Sequence, residues 1–182
     1  QLEVGFQLRP QAVQEQVGQA VTLARNVAHE PLARRILAQR YPDVERVVID
    51  GGSTDGTVET IQSLGDRIDI FVSEPDGGIY EALNKGVGVS SGDVVGFLHA
   101  DDLFNDDEAL SRIAAAMADP SVAAVYGDLI YVRKDRPDQV VRDWQAGEFS
   151  APKLRRGWMP PHPTLYVRRS VFESVGRFDT TL

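Results

Sequence analysis

Gly92-Asp93-Val94-Val95-Gly96-Phe97-Leu98-His99-Ala100-Asp101-Asp102 is an apolar run that ends in two adjacent carboxylates. Val94, Val95, Phe97 and Leu98 suit a strand buried on both faces, the pattern of parallel sheets covered by helices. Asp101 and Asp102 then fall at its carboxyl end, the edge where open α/β sheets bind ligands. Neighbouring carboxylates repel unless a positive charge offsets them, so a hard divalent ion is the economical partner, with a capped loop before the next helix as the plainer alternative. His99 alternates onto the side of Asp101, either as a packed imidazole or as a ligand.

On the amino-terminal side the same grammar repeats. Residues 20–24 read as a first strand with Asn26 just beyond it, and residues 30–40 as a helix stopped by Tyr41-Pro42. Residues 44–49 form a second strand ending at Asp50 and the turn-rich Gly51-Gly52-Ser53-Thr54-Asp55-Gly56. A short helix over 57–64, a strand over 68–72, the loop Glu74-Pro75-Asp76-Gly77-Gly78 and a helix over 79–86 then lead to the acidic strand. This βαβαβαβ order predicts a parallel sheet with right-handed crossovers. Beyond Asp102 the spacing predicts a helix over 106–117, β structure over 122–132 around Tyr126-Gly127-Asp128, and a partner strand over 139–143. The prolines of Trp158-Met159-Pro160-Pro161-His162-Pro163 extend the chain there and point His162 to the cleft. A strand over 164–167 and a helix over 169–175 complete the pattern. Residues 1–17 lack periodicity and resemble an imperfect protease-site linker, so they are set aside as an N-terminal extension, leaving 18–182 as one domain.

Composition narrows the chemistry. The chain has 182 residues, 42% hydrophobic and 25% charged, enough for a single core, and no apolar run nears the roughly 20 residues of a membrane span. Without cysteine, any metal must be held by oxygen or histidine. A net charge of -8 argues against nucleic acid as a partner. The cationic clusters at Arg34-Arg35, Lys153 to Arg156 and Arg168-Arg169 are either solvated surface or contacts to a diphosphate, an anionic acceptor or lipid headgroups.

The glycine-rich turn after Asp50 lacks both the Gly-x-Gly-x-x-Gly spacing of dinucleotide sites and the Gly-Lys-Ser/Thr ending of a P-loop. Asp55-Gly56-Thr57 matches the end of a phosphatase pattern, but Ser53 stands where its nucleophilic aspartate would be, and serine cannot form the acyl phosphate. Asp50 is either a turn acceptor or a carboxylate that takes hydrogen bonds from a nucleobase or ribose, and Asp76 admits the same two readings.

Together these stretches resemble glycosyltransferase family 2, with the GT-A fold, especially bacterial polysaccharide-assembly members of the colanic-acid type. The matching segments are residues 37–42, 48–57, 73–86 and 92–102, then Tyr126-Gly127-Asp128, and His162 through Phe178-Asp179, covering about 21–182. The resemblance implies an α/β fold, a three-layer α/β/α sandwich with a mostly parallel central sheet. It implies a nucleotide-sugar site of Asn26, Asp50, Asp76, Asn84, Ala100 and Asp101, with Mg²⁺ or Mn²⁺ on Asp101 and Asp102. His99 replaces the first acid of the family's Asp-x-Asp motif. The implied activity is metal-dependent inverting transfer from a nucleoside-diphosphate sugar, a UDP-sugar favoured, to a saccharide or lipid-linked acceptor. The implied address is cytoplasmic, with peripheral association at the inner membrane face. The family's general base follows the segment 176–182 and so falls beyond Leu182, with His162 as a further cleft residue. A nucleotide-sugar-binding fragment without turnover is the alternative.

Overall fold

The computed structural model describes residues 2–7, 20–25, 37–100, 102–133 and 135–181, with backbone only for the first two segments. Among the described residues ten strands run in chain order: β1 Leu2–Gln7, β2 Ala20–Arg25, β3 Val44–Asp50, β4 Ile70–Ser73, β5 Val94–His99, β6 Asp102–Phe104, β7 Ala124–Val125, β8 Asp128–Arg133, β9 Val140–Trp144 and β10 Tyr166–Arg168. Among the same residues lie five α-helices: α1 Thr57–Gln62, α2 Ile79–Val89, α3 Ala109–Ala116, α4 Ala151–Leu154 and α5 Arg169–Val175.

The main sheet has the order β4-β3-β2-β5-β10-β7. Strands β4, β3, β2 and β5 are mutually parallel, and β10 runs antiparallel to both β5 and β7. The first strand of this unit therefore lies between the second and the fourth, which creates a switch point at the carboxyl ends of β2 and β5. The register aligns Arg25 with both Ile49 and His99, and Asp50 with Ser73.

Alternation within the strands divides the core into two layers. Val44, Val48, Val94 and Leu98 pack with Ile61, Leu110, Ile113 and Met117 on one face. Val47, Ile49, Val95 and Phe97 pack with Ala82, Val87 and Phe172 on the other. Helices thus cover both faces, and the three-layer sandwich expected from the sequence is the one observed. Gly96 lies opposite Tyr166 in the β5–β10 ladder, and the Tyr166 ring, 1% exposed, crosses the space a side chain at Gly96 would fill.

Several boundaries differ from expectation for local reasons. Helix α3 begins at Ala109, not 106, because Asp106 accepts the Glu108 N–H at 3.0 Å and a two-oxygen contact from Arg112, which makes 106–108 a capping turn. The β-rich stretch 122–132 is two strands in different sheets. Between them, the buried Thr164 hydroxyl accepts the Gly127 N–H and holds the chain at the crossing.

A second sheet has the order β6-β1-β8-β9, with β1 parallel to β6 and antiparallel to β8. Its β1 comes from the segment set aside in the sequence reading. Leu2, Val4 and Phe6 have the period of a strand, over a span too short for the pattern to be decisive. The helix expected over 30–40 lies outside the described residues except for its end. There Gln39 is buried, donating to Asp106 O at 2.7 Å and accepting the Leu110 N–H at 3.1 Å.

Candidate functional site

Asp50 ends β3 fully buried, and its carboxylate organises the turn that follows. Oδ2 accepts the Gly52 N–H at 3.0 Å, the Ser53 N–H at 2.9 Å and the Ser73 hydroxyl at 2.7 Å, while Oδ1 accepts the Ser53 hydroxyl. Burial disfavours its charge, but these donors outweigh burial and hold the carboxyl below its ordinary range. The turn closes tightly because Gly52 has φ +85°, and a Cβ there would lie 3.4 Å from the Pro75 nitrogen. Loops 51–56 and 74–78 are thereby brought together above the strand ends.

Loop 74–78 is braced from α2. Lys85 reaches Glu74 at 2.9 Å and Glu81 at 3.2 Å, and Glu81 accepts the Gly77 N–H at 2.8 Å. Within this frame Asp76 is half-buried and accepts the Gly78 N–H at 3.0 Å. Asn84 is a two-point clamp, since its Nδ2 donates to Phe178 O and its Oδ1 accepts the Phe178 N–H, each at 2.9 Å. It therefore ties α2 to the carboxyl-terminal segment, a role that neither pocket support nor helix capping anticipated. Asp55 accepts both the N–H and the hydroxyl of Thr57, the first residue of α1, and is committed to that turn.

At the end of β5 the chain turns through half-buried Ala100 into β6. Asp102 is 4% exposed, and its Oδ2 accepts the His99 N–H at 3.3 Å, which holds the turn closed. The His99 and His162 rings lie 5.3 Å apart at 61°. His99, Asp102 and His162, with Tyr131 and Trp144 from the second sheet, line a cavity of about 200 Å³. Desolvation of the His162 ring pushes its pKa below the ordinary histidine value, although part of the residue remains exposed. Asn26 and Asp101 lie outside the described residues.

Tyr131 and Trp144 were missed in the sequence reading. They fall on one face of the β8–β9 pair, and the Arg142 guanidinium lies 5.5 Å from the centre of each ring. Their signal was the period-2 spacing of Leu129 with Tyr131 and of Arg142 with Trp144. Two of the basic residues have different work from that expected. Arg168 donates to the carbonyls of Met117, Asp119 and Val122, and Arg169 to those of Val87 and Gly92 and to the Ser90 hydroxyl. Both tie off helix ends near the start of β5, the edge opposite the acidic one, so neither is a diphosphate contact. Arg34 and Arg35 lie outside the described residues.

Among the described residues no three histidine, aspartate or glutamate side chains converge on one point. Mg²⁺ and Mn²⁺ sites at phosphates commonly need only one or two carboxylates, with substrate oxygens and water completing the shell. The Asp102 carboxylate at this edge is chemically suited to such a site.

A doubly wound sheet with its acidic strand end at the switch point, flanked by a smaller mixed sheet, is the GT-A fold. The mannosyltransferase PcManGT from Pyrobaculum calidifontis, solved with GDP-Man and Mn²⁺, matches 97% of this chain and 51% of its own, with TM-score 0.69 and 23% identity. S. aureus TarS in complex with UDP-GlcNAc matches 87% of this chain and 47% of its own, with TM-score 0.64 and 17% identity. The sequence pattern of Glycosyl transferase family 2 matches residues 30–175. A PGL/p-HBAD biosynthesis glycosyltransferase of Mycobacterium bovis is 32% identical over 149 residues, 79% of this chain and 55% of the relative. The chain belongs to glycosyl transferase family 2. It spans about half the length of the curated relatives it matches.

Proposed function

We propose that this domain binds a nucleoside-diphosphate sugar at the carboxyl edge of the main sheet and serves metal-dependent, inverting glycosyl transfer in polysaccharide or glycolipid assembly. The observation that carries the reading is the convergence of the Asp50 turn, the Asp76 loop and the His99–Asp102 turn at one switch point, in a chain of this family. Asp50 fixes the turn that borders the nucleoside, and Asp76 faces it from the neighbouring loop. Asn26, Asn84, Ala100 and Asp101 complete the donor site, with Asn84 acting through its hold on residue 178. A UDP-sugar is the favoured donor. Mg²⁺ or Mn²⁺, held by Asp101 and Asp102, would offset charge on the diphosphate when bound.

The acceptor is a saccharide or a lipid-linked saccharide. Its sugar ring fits the cavity of about 200 Å³, where the faces of Tyr131 and Trp144 cover apolar C–H surface and neutral His162 accepts a hydrogen bond from a hydroxyl. That hydroxyl oxygen attacks the anomeric carbon opposite the diphosphate. The new C–O bond forms as the bond to the phosphate oxygen breaks, its electron pair leaves with the nucleotide, and the hydroxyl proton passes to a general base.

The address proposed is cytoplasmic, peripheral to the inner face of the membrane. Among the described residues no helix is long and apolar enough to cross one. Nucleotide release from a panel of UDP- and GDP-sugars with Mn²⁺, measured with and without saccharide acceptors, tests the activity. Acceptor-dependent release is expected. Nucleotide binding without release would instead make this chain a nucleotide-sugar-binding module, and neither binding nor release would remove the proposal.

A further inference from the structure

The segment 149–159 gathers three large, water-exposed apolar side chains, Phe149 at 62%, Leu154 at 42% and Met159 at 69%. Single exposed apolar residues are ordinary, whereas three within eleven residues, one of them packed on Trp158, mark a candidate contact surface. The same stretch carries exposed Lys153, Arg155 and Arg156 against one flanking carboxylate, Glu148, a local excess of positive charge in a chain whose net charge is -8.

This lobe is built around Trp158. Its ring lies 6.5 Å from Phe149 and 5.8 Å from Tyr126, with the Lys153 ammonium 6.0 Å from its centre. The Trp158 N–H donates to Lys153 O at 3.1 Å, and the Tyr126 hydroxyl to Gly147 O at 2.9 Å. The apolar side chains are therefore presented from a braced platform.

We propose that this lobe seats the domain on an anionic lipid surface. Aromatic and aliphatic side chains beside lysine and arginine, on a protein otherwise acidic, complement a negatively charged interface while the rest of the molecule is repelled from it. A protein partner is the weaker fit, because a stable protein interface takes about 20–30 residues per side and this lobe offers far fewer. The chain from Trp158 reaches His162 in four residues, so the lobe lies within roughly 14 Å of the cavity. Seated this way, the cavity opens near headgroup height, where the sugar of a lipid-linked acceptor sits. That last step rests on the acceptor reading above, and the binding itself deepens the peripheral membrane address proposed there.

Co-sedimentation with vesicles of phosphatidylcholine alone, or of an equimolar phosphatidylcholine and phosphatidylglycerol mixture, tests the surface. Binding to the anionic vesicles alone, reversed by raised salt, is expected. Arg155→Gln with Arg156→Gln should lower the partition coefficient about 30-fold, at about fivefold per charge, and Phe149→Ser with Met159→Ser should weaken it comparably. All four positions are exposed, and unchanged UDP binding by calorimetry keeps a loss of vesicle binding separate from a loss of the donor site. Equal binding to both vesicles, variants that bind like the parent, or variants that alter only self-association would each overturn the proposal.

Discussion

Replacing Gly96 with alanine places one methyl group where the Tyr166 ring already lies. An ideal Cβ there would stand 2.0 Å from Tyr166 Cε1, 2.3 Å from Cδ1 and 2.5 Å from Cζ. Carbon atoms rest about 3.5–4.0 Å apart, so the ring must retreat by about 1.5 Å. Tyr166 is 1% exposed and packs in the cluster with Val94, Leu98 and Leu110, so it has nowhere to go without moving β10. Overpacking of this kind costs about 1–3 kcal/mol, and the severity here puts the expectation near 3 kcal/mol. For a chain of this size that lowers Tm by about 6–12 °C. Urea denaturation and calorimetry read both values. In a Tyr166→Leu background, with the ring gone, the same alanine should cost below about 1 kcal/mol. A Tm change within about 1 °C, or an equal penalty in both backgrounds, would refute the assignment of the clash to the ring.

Asn84→Ala removes both bonds to Phe178 and exposes its backbone groups to competition, so a loss of about 1–3 kcal/mol is expected, with protease cleavage near residues 176–181 as the local readout. The folded pKa of Asp50 lies below its ordinary value near 3.8. Its contribution is therefore complete above that value and disappears as pH falls through the folded pKa. Asp50→Asn should flatten stability against pH in that acid range. The folded pKa of His162 also lies below its ordinary value of 6.5, so the neutral ring's contribution is complete above 6.5 and is lost on acidification through the folded pKa. His162→Gln should remove that part of the slope.

The main sheet was legible because strands buried on both faces, such as 44–50 and 94–99, announce themselves as continuous apolar runs, and helix 169–175 was bounded by its own pattern. Of the second sheet only the β8–β9 pair was legible, as β structure over 122–132 with a partner strand over 139–143. The rest of its ladder joins residues 2–7 to 102–104 and 128–133, a pairing that local periodicity does not encode. Within the site, Asp50 was found as a residue but not as the hub of four hydrogen bonds, since Ser73 reaches it from 23 residues away. Arg168 and Arg169 show the converse limit. A pair of cations looks like an anion site in sequence until the carbonyls of two distant helix ends occupy it.

If the acidic end of β5 and the Asp50 turn form a metal-assisted nucleotide site, isothermal titration of UDP into the protein with and without Mn²⁺, repeated on Asp101→Ala, shows it. Binding should strengthen at least tenfold with Mn²⁺, about 1.4 kcal/mol, and that gain should be largely lost in Asp101→Ala. Equal affinity with and without the metal, unchanged by the substitution, would contradict it.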